Sequence, residues 1–113
     1  IPLQKRMLLI APELLVVCYK ISRPIKECTT LYELNSLASV WCCIENILLA
    51  MAAEGLYGVT YIPQNTERIR QILGVPDGYE IPVLLPIGYP GEDAKRVPQK
   101  PVSLTEKLHY DRS

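Results

Sequence analysis

The chain has 113 residues, which is enough for one small domain over residues 1–113 and too few for two. Hydrophobic residues make up 49% of the sequence, and this share excludes an intrinsically disordered chain. Twelve basic side chains balance twelve acidic ones, so we expect neither nucleic acid nor an anionic membrane as a partner.

The amino-terminal part combines a signal-like stretch with a strand. Lys5 and Arg6 precede an apolar run, but Pro12 and Glu13 interrupt it and no small-residue cleavage site follows, so we expect a cytoplasmic protein. The apolar run at 14–19 predicts a buried strand. Because the first residue is Ile rather than Met, we interpret the sequence as a fragment, a processed product or the ordered part of a longer protein.

The longest apolar segment follows a polar, exposed connection at residues 22–30. Residues 37–53 are mostly good helix formers, and Gly55 supplies a left-handed stop. Such a helix is apolar on nearly all sides, so we expect it to be covered on nearly all sides. Glu45 and Asn46 near its middle disfavour a membrane span, and burial between a sheet and a second subunit is the preferred interpretation.

The second half begins with a strand and a short helix. Residues 56–62 alternate aromatic and branched side chains, which predicts a strand that Pro63 ends. Either Asn65 or Thr66 is expected to cap the next helix, and Gly74 is expected to end it.

A turn at 76–78 leads into the second confident strand, residues 82–89. Its continuous apolar run predicts cover on both faces, and Pro86 within it predicts an edge position or a bulge. The tail after Pro90 is polar and rich in proline. Ser103 and Glu106 have the spacing of a capping box for one helical turn, and we expect the tail to lie on a partner.

The sequence contains few groups that carry chemistry. It has no nucleophile elbow, phosphate loop, dinucleotide-binding glycine motif or metal-binding cluster, so we predict no metal site and no catalytic side chain. His109 could act as a base with Ser103, but a packing role is preferred; Glu45 is interpreted as a hydrogen-bonded polar group rather than a catalytic carboxylate. The four cysteines are expected to be reduced and buried: Cys18, Cys28, Cys42 and Cys43.

Several segments in a fixed order carry a family resemblance. They are APELLVV at 11–17, IENILLAMAAEGL at 44–56, ILGVPDGYE at 72–80 and LLPIGYP at 84–90, followed by Lys100-Pro101 and Leu108-His109-Tyr110. In this order and spacing the chain resembles the carboxy-terminal half to two-thirds of the nitroreductase family of FMN-dependent oxidoreductases.

The resemblance implies an α+β fold of the nitroreductase type. This is an α/β/α sandwich with a mixed, largely antiparallel sheet flanked by helices, here lacking its amino-terminal part. It also implies an obligate homodimer whose interface includes the long helix and exchanged chain ends, with FMN bound at that interface by both subunits.

The resemblance also implies which residues contact FMN: Thr60, Tyr61, Ile62, Pro63, Arg96, Gln99 and Lys100. The backbone N–H of Ile62 is expected to face N5 of the flavin, whereas Pro63 has no N–H to donate. Gln99 stands where the family usually has Arg. Lys100, with Arg96 or Lys95, is expected to reach the phosphate or ribityl group, and solvated tail charges are the alternative interpretation.

The implied function is an FMN-dependent oxidoreductase with ping-pong kinetics. It would take hydride from NADH or NADPH and pass it to a nitroaromatic, a quinone or a similar electron-poor acceptor. The alternative from another class is a non-catalytic dimerisation or flavin-sequestering module that has lost the phosphate-binding segment. A third possibility within the same fold is flavin fragmentation or removal of halogen from a substrate.

Overall fold

The computed structural model describes residues 3–112, which form four α-helices and three strands. In chain order these are α1 (Leu3–Ile10), β1 (Glu13–Lys20), α2 (Asn35–Ala53), β2 (Tyr57–Gly58), α3 (Glu67–Leu73), β3 (Tyr79–Gly88) and α4 (Leu104–Lys107). The described strands form one antiparallel sheet in the order β1-β3-β2. The predicted α+β class is therefore confirmed.

Strand β3 occupies the centre of the sheet and contributes most of the core. Val83 and Leu85 are fully buried and pack against Val40 and Ile44 of α2. Side chains alternate between the two faces of a strand, so Leu84 points away from α2, and it is only 5% exposed. Both faces of β3 are thus covered near its middle, as the continuous apolar run predicted.

Helix α2 packs on the sheet through one side only. The side chains that face the sheet recur at helical spacing: Leu37, Val40, Trp41, Ile44, Ile47, Leu48 and Met51. The opposite side is exposed and includes Ala38, Cys42 and Leu49. The sequence predicted that α2 is covered on nearly all sides. The rest of this chain covers only one side of it.

By length and composition alone, one helical stretch, Tyr32–Ala53, qualifies as a candidate membrane span. Only 17% of its most apolar window is buried. A single helix of this kind is weak support for a membrane protein, because core helices and signal sequences pass the same test. The expected absence of a membrane partner stays a prediction.

A capping box starts the helical region earlier than the sequence pattern indicated. The carboxylate of Glu33 accepts a hydrogen bond of 3.0 Å from the Thr30 N–H, and the Thr30 hydroxyl accepts one of 3.4 Å from the Glu33 N–H. A 3-10 turn at Tyr32–Leu34 then leads directly into α2 at Asn35. The prediction had begun the helix at residue 37 because it relied on the apolar run.

The prediction that Pro86 marks a sheet edge or a bulge is wrong. Pro86 is buried in the central strand, where it lies opposite Leu14 of β1. The irregularity in this ladder lies between Val17 and Tyr19 instead. The central strand accepts a proline here because the nitrogen of residue 86 faces the Val59 side and not β1, so the β1 ladder loses no hydrogen bond.

The cysteines and the tail differ from parts of the sequence interpretation. All four cysteines are free, but Cys18, Cys42 and Cys43 are exposed, so their predicted burial is wrong. Residues 89–112 are exposed throughout. Helix α4 begins after Ser103 as predicted, but the Ser103 side chain makes no capping hydrogen bond and instead lies 2.9 Å from the Thr105 hydroxyl.

Candidate functional site

The predicted flavin contacts Thr60, Tyr61, Ile62 and Pro63 form one short stretch beside the sheet, termed segment 60–63. Tyr61 exchanges two backbone hydrogen bonds with Leu84 of β3, with N···O distances of 2.9 and 2.8 Å. In the β2 pairing, Gly58 lies opposite Ile87, and the Tyr61–Leu84 bridge keeps the same register. This register places Val59 opposite Pro86 and Pro63 opposite Pro82.

Prolines interrupt the ladder on both sides of this bridge. In an antiparallel pair every second residue of a strand directs its N–H and C=O towards the same neighbour. Leu84 directs these groups towards Tyr61, so the residues two positions away, Pro82 and Pro86, face the same side of the strand. Neither has an N–H to donate to its opposite residue, which is Pro63 for Pro82 and Val59 for Pro86. The regular pairing of β2 accordingly ends at Gly58.

The same alternation orients the amides of segment 60–63. Because the Tyr61 N–H points towards β3, the N–H groups of Thr60 and Ile62 point away from it, towards the open side of the sheet. Within residues 3–112, the Ile62 N–H donates to no protein acceptor, and Ile62 is 64% exposed. Pro63 also restricts Ile62 to extended conformations.

Two apolar cavities adjoin β2, next to segment 60–63. One, of about 330 Å³, lies between α1, β2 and the end of β3, where Met7, Tyr57 and Tyr89 line it. The other, of about 410 Å³, is lined by Met51 and Leu56 together with Tyr57. Their apolar walls suit a planar aromatic ligand or an apolar segment of a partner.

Of the three tail residues predicted to contact FMN, one lies next to β2. Arg96 lines the 410 Å³ cavity beside Tyr57 and Gly58, two residues before Thr60. Gln99 and Lys100 are exposed, and in the part of the chain that the structure describes they make no side-chain hydrogen bond or ion pair. The structure thus places Arg96 next to β2 and leaves Gln99 and Lys100 in the exposed tail.

Tyr19 and Glu33, which lie outside segment 60–63, have shifted pKa values. Burial, and then the charge of Glu80, raise the pKa of Tyr19 on β1, whose hydroxyl has no hydrogen-bond partner among residues 3–112. Hydrogen bonds from the backbone amides of Thr29 and Thr30 lower the pKa of Glu33. The groups available at segment 60–63 are backbone amides, the hydroxyls of Thr60 and Tyr61, and apolar surface.

Comparisons with known proteins agree with this geometry. No family model matches the sequence. The iodotyrosine deiodinase of Thermotoga neapolitana is 30% identical over 92 residues, which span 81% of this chain and 44% of that protein. NADH dehydrogenase of Thermus thermophilus is 43% identical over 47 residues, or 42% of this chain and 23% of that protein.

A solved structure extends the comparison to the fold. Oxidized iodotyrosine deiodinase, bound to FMN and 3-iodo-L-tyrosine, superimposes on this chain with a TM-score of 0.67 at 28% identity and covers 90% of it. The chain is related to the nitroreductase superfamily. The chain spans less than half the length of the proteins that it matches. This partial coverage fits the prediction that it corresponds to the carboxy-terminal part of the family's domain.

Sequence reasoning did not identify the proline alternation that orients segment 60–63. The pattern Pro-x-Leu-x-Pro is visible at residues 82–86. Its two prolines are four residues apart, so in a strand their nitrogens face the same neighbouring strand. Its meaning depends on knowing that Tyr61 pairs with Leu84, and strand pairing is a long-range property. The choice of Ile62 as the amide donor came from the family resemblance and not from the pattern.

Proposed function

We propose that this protein is an FMN-dependent oxidoreductase that works as a homodimer in the cytoplasm. The observation that carries the proposal is the outward, unpaired N–H of Ile62, held in place by the adjacent Tyr61–Leu84 bridge in a chain related to an FMN-bound enzyme. Such an amide is a fixed donor for a flavin edge, and it requires no catalytic side chain.

The residues present fit an isoalloxazine ring better than they fit its phosphate. Segment 60–63 offers extended backbone and the apolar surface of Ile62, and Arg96 lies beside the adjoining cavity. Arg96 and Lys100 would hold the phosphate or ribityl group through charge-assisted hydrogen bonds. FMN supplies the acceptance and transfer of hydride, and the protein's own part is to orient the ring and exclude water from it.

Surface area supports the homodimer. The chain exposes 9691 Å², whereas a folded monomer of 12.8 kDa exposes about 6,300 Å². The radius of gyration is 17.4 Å against about 13 Å for a compact chain of this length. The excess of about 3,400 Å² is far larger than the roughly 800 Å² that one partner buries in a standard interface.

A second copy of this chain is the proposed cover for that surface. The exposed side of α2 is built from small and apolar side chains, including Ala38, Cys42 and Leu49, which allow another helix to approach closely. The exposed tail has apolar residues at Val97 and Val102 that suit a neighbouring subunit. Sedimentation analysis should give twice the chain mass, and a monomer at all concentrations would contradict the proposal.

The central experiment measures flavin binding and reduction. Purified protein is titrated with FMN, and the bound flavin is then mixed anaerobically with NADH or NADPH. We expect quenched FMN fluorescence, loss of the visible flavin band on addition of the nucleotide, and its return when menadione or a nitroaromatic is added. The relationship to an NADH dehydrogenase favours NADH as the faster donor.

Reductive removal of halogen is a second candidate function, because one curated relative and one structural relative are both iodotyrosine deiodinases. In this reaction the aryl C–I bond breaks, two electrons and one proton are consumed, and iodide leaves as the C–H bond forms. Iodide release from 3-iodo-L-tyrosine, with no reduction of menadione, would favour it. Tight FMN binding without turnover of any acceptor would favour the flavin-sequestering module instead.

A further inference from the structure

Arg70 on α3 holds a position unlike that of the other charged side chains near segment 60–63. Its side chain is only 15% exposed, and its guanidinium donates to the carbonyl oxygen of Tyr79 at the start of β3. A second guanidinium nitrogen lies 3.5 Å from the carbonyl oxygen of Pro76. Two carboxylates approach the same group, Glu67 at 4.0 Å and Asp77 at 3.9 Å.

This contact is what joins α3 to the sheet. Within residues 3–112, the hydrogen bond from Arg70 to Tyr79 is the one direct hydrogen bond between residues 62–73 and a strand. The other hydrogen bonds of this stretch are local, such as those from the Glu67 N–H to Asn65 and from the Val75 N–H to the Arg70 carbonyl. Loss of the guanidinium would leave α3 attached mainly by its chain ends.

The two anchors of this part of the chain lie on the same strand. Tyr61 is fixed to Leu84, and Arg70 is fixed to Tyr79. These two β3 residues are five positions apart, or about 17 Å along an extended strand. Residue Ile62 follows the first anchor directly, so the path of the chain leaving Ile62 depends on where the second anchor holds α3.

We infer that Arg70 is a positioning residue for segment 60–63, fixing the direction of the Ile62 N–H through α3. The functional meaning of this role rests on the proposed function, since that N–H is the proposed flavin contact. A guanidinium is suited to the task because its planar fork reaches two carbonyl oxygens at once. A Lys ammonium would keep one of these contacts and lose the fixed geometry.

The test uses three variants of the full-length protein: Arg70→Met, Arg70→Lys and Arg68→Met. Arg68 is the matched control, because it is on the same helix, is exposed and makes no ion pair in the described part of the chain. The first measurement is amide hydrogen exchange without FMN. Tyr61 and Leu84 report the bridge beside segment 60–63, whereas Val83 reports the adjacent ladder to β1.

For Arg70→Met we expect at least about tenfold faster exchange at Tyr61 and Leu84, with Val83 unchanged. Arg70→Lys should recover part of the protection, and Arg68→Met should match the wild type. Equal acceleration at all three amides would overturn the inference, because it would reveal a loss of global stability. Unchanged exchange in Arg70→Met would overturn it as well.

The second measurement is the visible circular dichroism of bound FMN. We expect Arg70→Met to change this signal, because the ring would contact a displaced amide, and Arg68→Met to leave it unaltered. An unaltered signal in Arg70→Met would overturn the positioning role. A wild-type protein that binds no FMN would instead overturn the proposed function, and the exchange data would still decide whether Arg70 positions segment 60–63.

Discussion

Replacing Ile44 by Ala tests which side of α2 faces the sheet. Ile44 is 1% exposed and packs in the core cluster with Val40, Val83 and Leu85. The substitution removes three carbon atoms, worth about 2.4 kcal/mol in transfer free energy at about 0.8 kcal/mol each. The cavity that remains adds to this, so the free energy of unfolding should fall by about 2–5 kcal/mol.

Leu49 on the same helix provides the matched control. It is 60% exposed on the opposite side of α2, so Leu49→Ala should change the stability of a single subunit by less than about 0.5 kcal/mol. If two chains associate through this side, as we propose, the effect of Leu49→Ala will be largest at high protein concentration and will shrink as dilution separates the subunits. The effect of Ile44→Ala on the subunit core will be far less dependent on concentration.

Urea unfolding followed by Trp41 fluorescence measures both effects. Trp41 packs beside the core cluster, so its emission reports the loss of the α2–sheet contact. With a slope of about 1–3 kcal/mol per molar urea, Ile44→Ala should lower the midpoint by roughly 0.7–5 M. Similar midpoints for Ile44→Ala and Leu49→Ala at a protein concentration low enough to keep the subunits separate would refute the assignment of the buried side.

Three further predictions concern segment 60–63 and the start of α2. Ile62→Pro removes the outward N–H and should raise the FMN dissociation constant roughly 2–13-fold, measured by fluorescence titration, whereas Ile62→Val should not. Pro86→Val restores a donor opposite Val59, so its new amide should be protected from hydrogen exchange; free exchange there would contradict the proline explanation. Because the folded pKa of Glu33 is lowered from its ordinary value of 4.5, its stabilising contribution is present above that value and is lost as pH falls through the lowered pKa. Glu33→Gln should therefore flatten the acid side of the stability profile measured by circular dichroism.

Local sequence signals predicted the elements whose causes are local. Gly55 and Gly74 both have a left-handed backbone, with φ of 71° and 67°, where a side chain would be strained, and each follows a helix as expected. Thr66 occupies the N-cap position of α3, one of the two that the pattern allowed, but makes no side-chain capping hydrogen bond. The side-chain oxygen of Asn65 instead accepts a hydrogen bond of 3.1 Å from the Glu67 N–H. These features depend on neighbours within a few residues.

Tertiary context decided between two copies of the same capping pattern. Thr30 and Glu33 form reciprocal hydrogen bonds, whereas Ser103 and Glu106, at the same spacing, do not. The first pair begins a long helix that packs on the sheet, and the second begins a single exposed turn. A capping pattern alone does not reveal whether the helix behind it is held by packing.

The proline alternation of β3 also explains why a free amide persists next to a sheet. Exposed strand edges invite unwanted pairing, and proteins usually protect them on the edge strand itself. Here Pro82 and Pro86 lie on the central strand, where they remove the N–H groups that would pair with the neighbouring stretch. The outer side of that stretch stays open. Thr60 and Ile62 keep their donors directed outwards, and the Tyr61–Leu84 bridge keeps that stretch in register. Ile62 is 64% exposed, so water can accept from its outward amide, and a planar ligand with acceptor atoms along one edge would replace that water.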